Sequence, residues 1–173
     1  YAAILAGVPL LFGTLGEILT EKAGNINLGV EGMMYMGAVF GFMGAYYLDS
    51  AIATLLFAFL GGLGGALVYA FLTVTLKANQ NVAGLTLTIF GTGLANLLGT
   101  NMINGSGSGA AMVSDAMKAF FRPMDMGALT AIPYLGKLLF NHSLFTYLGI
   151  VLAIAAGWYL NHTAQGLNLR AVG

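Results

Sequence analysis

Four charged residues, Glu17, Glu21, Lys22 and Glu31, interrupt an otherwise apolar stretch, LFGTLGEILTEKAGNINLGVEG, from Leu11 to Gly32. A charge at the centre of a membrane helix costs about 2.5–3.5 kcal/mol on insertion scales, so such groups face a bundle interior, a partner or water. Glu17 and Glu21 are four apart and share a helix face, as do Asn27 and Glu31 wherever the helix is continuous. Between the two pairs lies Ala23-Gly24-Asn25-Ile26-Asn27, followed by Gly29 and Gly32. That is poor helix sequence, and it predicts a broken or re-entrant segment near residues 21–32. Exposed peptide groups at such a break bind polar solutes well. A blander role stays open beside this one: the carboxylates sit at the membrane interface, cap helices or pair with Lys22.

The second polar feature is Thr88, Thr92, Asn96 and Thr100, which recur every fourth residue and form one slowly drifting stripe. A single membrane threonine is ordinary, because its hydroxyl bonds back to a carbonyl. Asn96 is less ordinary. It either lines a polar pathway with its threonines or holds two helices together.

Other chemistries find no support. The chain has no Cys, which removes disulfides and thiolate chemistry, and its two histidines, His142 and His162, fall at the two ends of one apolar run, where interface placement is expected. The spacing of a phosphate-binding loop is absent: the only Gly-Lys pair, Gly136-Lys137, is followed by Leu138. If ATP drives this protein, another chain binds it. No nucleophile, base and orienting acid can be assembled, which counts against an intramembrane hydrolase.

These groups must be positioned by membrane helices. Of 173 residues 58% are hydrophobic and 7% charged, against roughly 25% charged in a soluble domain, and the mean hydropathy is +0.86. Net charge is zero, so no basic surface argues for nucleic acid. A bilayer core of about 30 Å needs about 20 apolar residues in helical form. Five segments approach that length: Tyr1 to Leu19, Asn27 to Leu48, Ala51 to Leu76, Val82 to Ile103 and Leu144 to Leu160. The fold expected is an all-α polytopic bundle, one transmembrane domain over residues 1–173. Tyr1 opens directly into apolar sequence and Leu167 to Gly173 reads as the start of a further element, so truncation at both ends is expected.

Residues 104–141 hold an NGSGSG turn, two of the three prolines and half of the Lys and Arg residues, and should lie outside the hydrocarbon with a short surface helix around Ala110 to Phe121. Lys22, Lys77 and Arg170 alternate onto one side, which the positive-inside rule makes cytoplasmic; the loop with Lys118, Arg122 and Lys137 is then extracytoplasmic. The GxxxG pairs Gly37/Gly41 and Gly61/Gly65 read as helix packing within the bundle. Met33, Met34, Met36 and Met43 read as apolar filler.

Three stretches together resemble the permeases of the branched-chain amino acid, ribose and simple-sugar class of ATP-binding-cassette importers, particularly its nucleoside-uptake branch. The first, GEILTEKAGNINLGVEGMM, is similar to the pattern Glu-x-Ala-Gly-x-x-Asn-x-Gly-x-Glu-Gly through Glu21, Ala23, Gly24, Asn27, Gly29, Glu31 and Gly32. The second is NQNVAGLTLTIFGTGL, from Asn79 to Leu94, and the third IPYLGKLLFNHSLFTYLGI followed by TAQGLNLRAVG. In relatives the LRAVG element leads into a loop that docks on the nucleotide-binding subunit, so the resemblance makes residues 161–173, with Arg170 and Gly173, the start of a cytoplasmic coupling region. The chain departs from the family by stopping at Gly173.

The resemblance implies a multi-pass subunit in a bacterial or archaeal plasma (inner) membrane. Its expected partners are a second permease subunit, cassette ATPase subunits that hold ATP and Mg, and an extracytoplasmic solute-binding protein or lipoprotein. The solute would be a nucleoside or simple sugar. Its path is expected along Asn27, Glu31, Thr88, Thr92 and Asn96. The glutamate-rich first motif favours nucleosides, since the ribose-like branch reads more like GGIDLSVG there. Two other readings stand beside it. An ion-coupled secondary transporter would use Glu17, Glu21 or Glu31 to carry protons; a non-transporting scaffold would pack through its glycine faces and leave the carboxylates unexplained.

Overall fold

The computed structural model describes residues 2–107, 109–124 and 140–173. They form helices α1 (Ala2–Lys22), α2 (Val30–Leu48), α3 (Ala51–Ala70), α4 (Gln80–Gly105), α5 (Asp115–Phe120), α6 (Leu144–His162) and α7 (Ala164–Val172), with one π-helical turn, Phe71–Thr75, continuing α3. No strand occurs among the described residues. Lys137 and most of the IPYLGKLL stretch lie outside them.

Four helical segments are long and apolar enough to cross a membrane: Ala3–Lys22, Ala51–Thr75, Gln80–Gly105 and Leu144–His162. The chain is a multi-pass, all-helical membrane protein. The expected span from Asn27 to Leu48 is the exception, since its helix starts only at Val30 and α2 is not among the four. Its composition explains why. Glu31, Tyr35, Tyr46 and Tyr47 lower its apolar character, while Gly32, Met36, Gly37, Val39, Gly41, Gly44 and Ala45 are buried between neighbours. A helix packed against both α3 and α4 does not need an apolar surface all round.

The chain divides into two compact units. In the unit Ile26–Phe120, α2 and α3 form an antiparallel pair packed through small residues. A Cβ on Gly37 would lie 3.1 Å from the Ala58 carbonyl oxygen, one on Gly44 2.9 Å from that of Ala53, and one on Gly61 2.9 Å from that of Met36. Both GxxxG pairs thus serve packing inside the bundle, as expected. Without a hydrophobic effect between lipid-solvated helices, such close backbone approach is what gains dispersion energy. Large apolar side chains point outward instead, among them Ile52, Ile89 and Phe59. The turn between the helices uses Asp49 in the left-handed region (φ 45°) to end α2 and Ser50 to cap α3.

The α4–α5 connection returns to that same turn. Ser114 donates its hydroxyl to the Asp49 carboxylate, and Thr54 approaches the Met117 sulfur at 3.9 Å. The surface helix is shorter than expected, six residues, since Ser114 caps it by accepting the Met117 amide at 3.2 Å. Lys77 and Lys118 therefore stand at opposite ends of this unit.

In the unit Tyr1–Asn25 with Phe121–Gly173, α1 packs on α6 where Gly149 meets Leu11 and Phe12. The Thr163 backbone stops α6, and its side chain caps α7 by accepting the Gly166 amide at 3.0 Å. His142 stands just before α6, at the end of the apolar run as expected, and is buried there at 2% exposed, its carbonyl accepting the Met124 amide.

Candidate functional site

The expected break occurs at residues 23–29, between the end of α1 at Lys22 and the start of α2 at Val30. Glu17 and Glu21 both lie within α1, four apart, so they do share its face. Glu17 is half-buried and accepts the Thr20 hydroxyl at 3.1 Å, while Glu21 is exposed. Gly24 takes φ 78°, a conformation that favours glycine, and a Cβ there would stand 3.1 Å from the Gly173 Cα. These residues belong to the first unit; Asn27, Gly29, Glu31 and Gly32 belong to the second.

Asn27 and Glu31 do not share a helix face, because Asn27 precedes the helix. Its carboxamide oxygen accepts the Gly29 amide at 2.9 Å, an Asx turn that starts α2, and the residue is 7% exposed. Glu31 is exposed in the first turn of α2, where a negative charge complements the helix dipole.

Backbone groups freed by the break are taken up by side chains of α3 and α4. The Ile26 amide donates to Gln80 Oε1 at 2.9 Å and the Ile26 carbonyl accepts the Tyr69 hydroxyl at 2.6 Å. The Leu28 carbonyl accepts the Thr88 hydroxyl at 2.9 Å. Burying unpaired peptide groups in hydrocarbon costs several kcal/mol each, so a break persists only where such partners exist. Beside it, Gly29 and Gly32 admit the backbone of α4 at Gly84, Leu87 and Thr88, while Gly91 receives the backbone of Gly32. Tyr69, Ala83 and Leu87 form the buried core beneath, with Met33 and Leu72 packed against them. Met36 is buried as apolar filler, while Met33 packs on this core and its sulfur accepts the Asn27 side-chain amide at 3.7 Å.

The polar stripe on α4 splits. Residues four apart drift by about 40° around a helix axis. Thr88 therefore meets the break, Thr92 bonds its own helix through the carbonyls of Thr88 and Ile89, and Asn96 and Thr100 turn out to the exposed face. Tyr69 and Gln80 escaped the sequence reading. A hydroxyl-bearing aromatic in the apolar run of α3 was the available signal, since a buried Tyr finds a hydrogen-bond partner.

Arg170 is exposed on α7 and donates to Asn161 Oδ1 at 3.3 Å. Gly166 lies against the backbone of Tyr159 and Leu160, and Gly173 against that of Lys22 and Gly24, positions where a side chain would collide. No cluster of metal-ligating side chains occurs among the described residues.

Four helices long and apolar enough to cross a membrane, with an interrupted backbone between α1 and α2, are features that membrane transporters use to hold polar solutes. The family described as "Branched-chain amino acid transport system / permease component" matches residues 2–173, and the chain belongs to it. Three relatives are similar along 98–99% of this chain. The "Putative glucose ABC transporter permease protein TsgC13" of Haloferax volcanii is 32% identical, with 50% of its own length covered. The guanosine ABC transporter permease protein NupQ of Bacillus subtilis is 30% identical and the nucleoside ABC transporter permease protein NupC of Lactococcus lactis 33%, each with 54% of its length covered. The chain thus spans about half the length of these relatives. No solved structure matches it.

Proposed function

We propose that this chain forms part of the solute pathway of an ATP-binding-cassette importer for nucleosides or simple sugars, in a bacterial or archaeal plasma (inner) membrane. The observation that carries the reading is the interrupted backbone at residues 23–29 within a chain matched by a permease family over residues 2–173. The partners are a second permease subunit, cassette ATPases holding ATP and Mg, and a solute-binding protein or lipoprotein. Relatives named for guanosine and nucleosides, together with the glutamate-rich motif, favour a nucleoside; the relative named for glucose keeps a simple sugar in view.

In this reading Asn27 and Thr88 shape the break, and Glu31, Thr92 and Asn96 extend polar character along the path. Residues 104–141 are extracytoplasmic, while residues 161–173, with Arg170 and Gly173, begin the cytoplasmic coupling region. Uptake of labelled guanosine and glucose by cells expressing the full-length permease with its cassette partner tests it. Uptake abolished by a hydrolysis-dead cassette and insensitive to a protonophore is expected. Uptake that needs no cassette and collapses with the protonophore would establish the secondary-transporter alternative, with Glu17, Glu21 or Glu31 as the carriers.

A further inference from the structure

Both ends of one short connection grip the two polar groups of a single peptide residue. Tyr69, two residues before the π-helical segment Phe71–Thr75, donates to the Ile26 carbonyl, and Gln80, the first residue of α4, accepts from the Ile26 amide. The connection between them is closely specified. Its widened turn is closed by the Leu76 amide on the Phe71 carbonyl at 3.0 Å. Lys77 adopts φ 52°, which costs an L-residue energy and persists only where its surroundings impose it. Asn79 then caps α4 through the amides of Asn81 and Val82. Thr73 back-bonds to the Tyr69 carbonyl at 2.9 Å, tying the tyrosine to the π turn, and π turns inside helices are frequent at functional sites.

We propose that Tyr69 and Gln80 are positioning residues of the solute pathway, a clamp through which the α3–α4 connection dictates where the broken segment sits. The proposal rests on the pathway reading above. Tyr69 is 4% exposed among Ala83 and Leu87, so its ring belongs to the core, whereas its hydroxyl reaches the break. Gln80 reaches the same residue from the far side of the connection. Neither bond is needed to form a helix. Each fixes a peptide that no helix holds, and displacement of the connection would displace Ile26 with it.

The test uses the full-length permease in its assembled transporter. These 173 residues carry no cysteine, so Ile26→Cys, at a side chain 48% exposed, reports the break by its maleimide reaction rate once any cysteine elsewhere is replaced. Tyr69→Phe keeps the ring and removes the hydroxyl, Gln80→Leu removes the acceptor, and Gln80→Glu keeps one. Loss of one such hydrogen bond should speed labelling by about five-fold in Tyr69→Phe and Gln80→Leu. Gln80→Glu should stay near the unsubstituted rate, and guanosine KM should rise in step with labelling at unchanged transporter yield. Labelling unchanged in both Tyr69→Phe and Gln80→Leu would overturn the clamp whatever the solute. Faster labelling with an unchanged KM would overturn its role in the pathway. Absence of guanosine and sugar uptake by the unsubstituted complex would instead sink the functional reading, while the labelling rates still decide the clamp.

Discussion

Gly91 on α4 lies against the backbone of Gly32 on α2 so closely that a Cβ on Gly91 would stand 2.7 Å from the Gly32 Cα. No side chain intervenes at this crossing, and the backbone of either helix would have to move to admit a methyl group. The contact holds the first turn of α2 beside the Thr88 hydroxyl that satisfies Leu28.

Gly91→Ala should accordingly destabilise the full-length protein by about 1–3 kcal/mol, the cost of overpacking a tight contact. Gly93, two residues on, meets nothing within 4 Å, so Gly93→Ala is the control. It should be neutral or slightly stabilising, since alanine is favoured over glycine by about 0.5–1 kcal/mol inside a helix. Thermal unfolding in detergent compares them, and equal midpoints for the two variants would refute the packing argument.

Lys77 stands at the opposite end of its unit from Gly107 and Lys118, so the two ends should lie on opposite sides of the membrane. With Lys77 cytoplasmic, cysteines placed at 107 and 118 should react with an impermeant maleimide in intact cells, while one at 77 should react only after permeabilisation. Strong labelling at 77 without labelling at 107 would invert the orientation.

Asn96 is exposed on α4. If Asn96 lines the solute path, Asn96→Leu should lower solute uptake several-fold while expression and complex assembly stay near normal, whereas an unchanged uptake would place this face toward lipid. Parallel losses of assembly and uptake would assign Asn96 to holding helices together, the other role open to a polar residue in a membrane helix.

Arg170 is pinned only loosely, through one bond of 3.3 Å to Asn161, whose own amide donates to the Gly157 carbonyl. A guanidinium presents a planar fork of donors that matches a carboxylate bidentately. If Arg170 couples through such a fork, ATPase stimulation by solute-loaded binding protein should fall in Arg170→Ala and recover poorly in Arg170→Lys. Full recovery with lysine would reduce its role to anchoring a helix end by charge, and full activity in the alanine variant would remove it from coupling.

Much of this protein was legible from residue order alone. Apolar length located the helices at Ala2–Lys22, Ala51–Ala70, Gln80–Gly105 and Leu144–His162 to within a few residues, because the cost of unpaired peptide groups in lipid leaves few alternatives to a helix. The run Ala23 to Gly32 announced a break, since glycine and asparagine disfavour helix wherever they stand. Local chemistry also carried the family resemblance. What the sequence could not decide was how the break is satisfied. The bonds from Tyr69, Gln80 and Thr88 to residues 26–28 span 43, 54 and 60 positions. Helix packing, not spacing, selects those partners. The same holds for the polar stripe, where periodicity grouped Thr88 with Asn96 but only the crossing of α2 over Gly84 and Gly91 determined which of the two meets the break. Residue order placed a fifth span at Asn27 to Leu48, whereas α2 falls outside the four helices long and apolar enough to cross a membrane; how apolar a helix must be depends on how much of it faces lipid, and burial between α3 and α4 is decided only by packing.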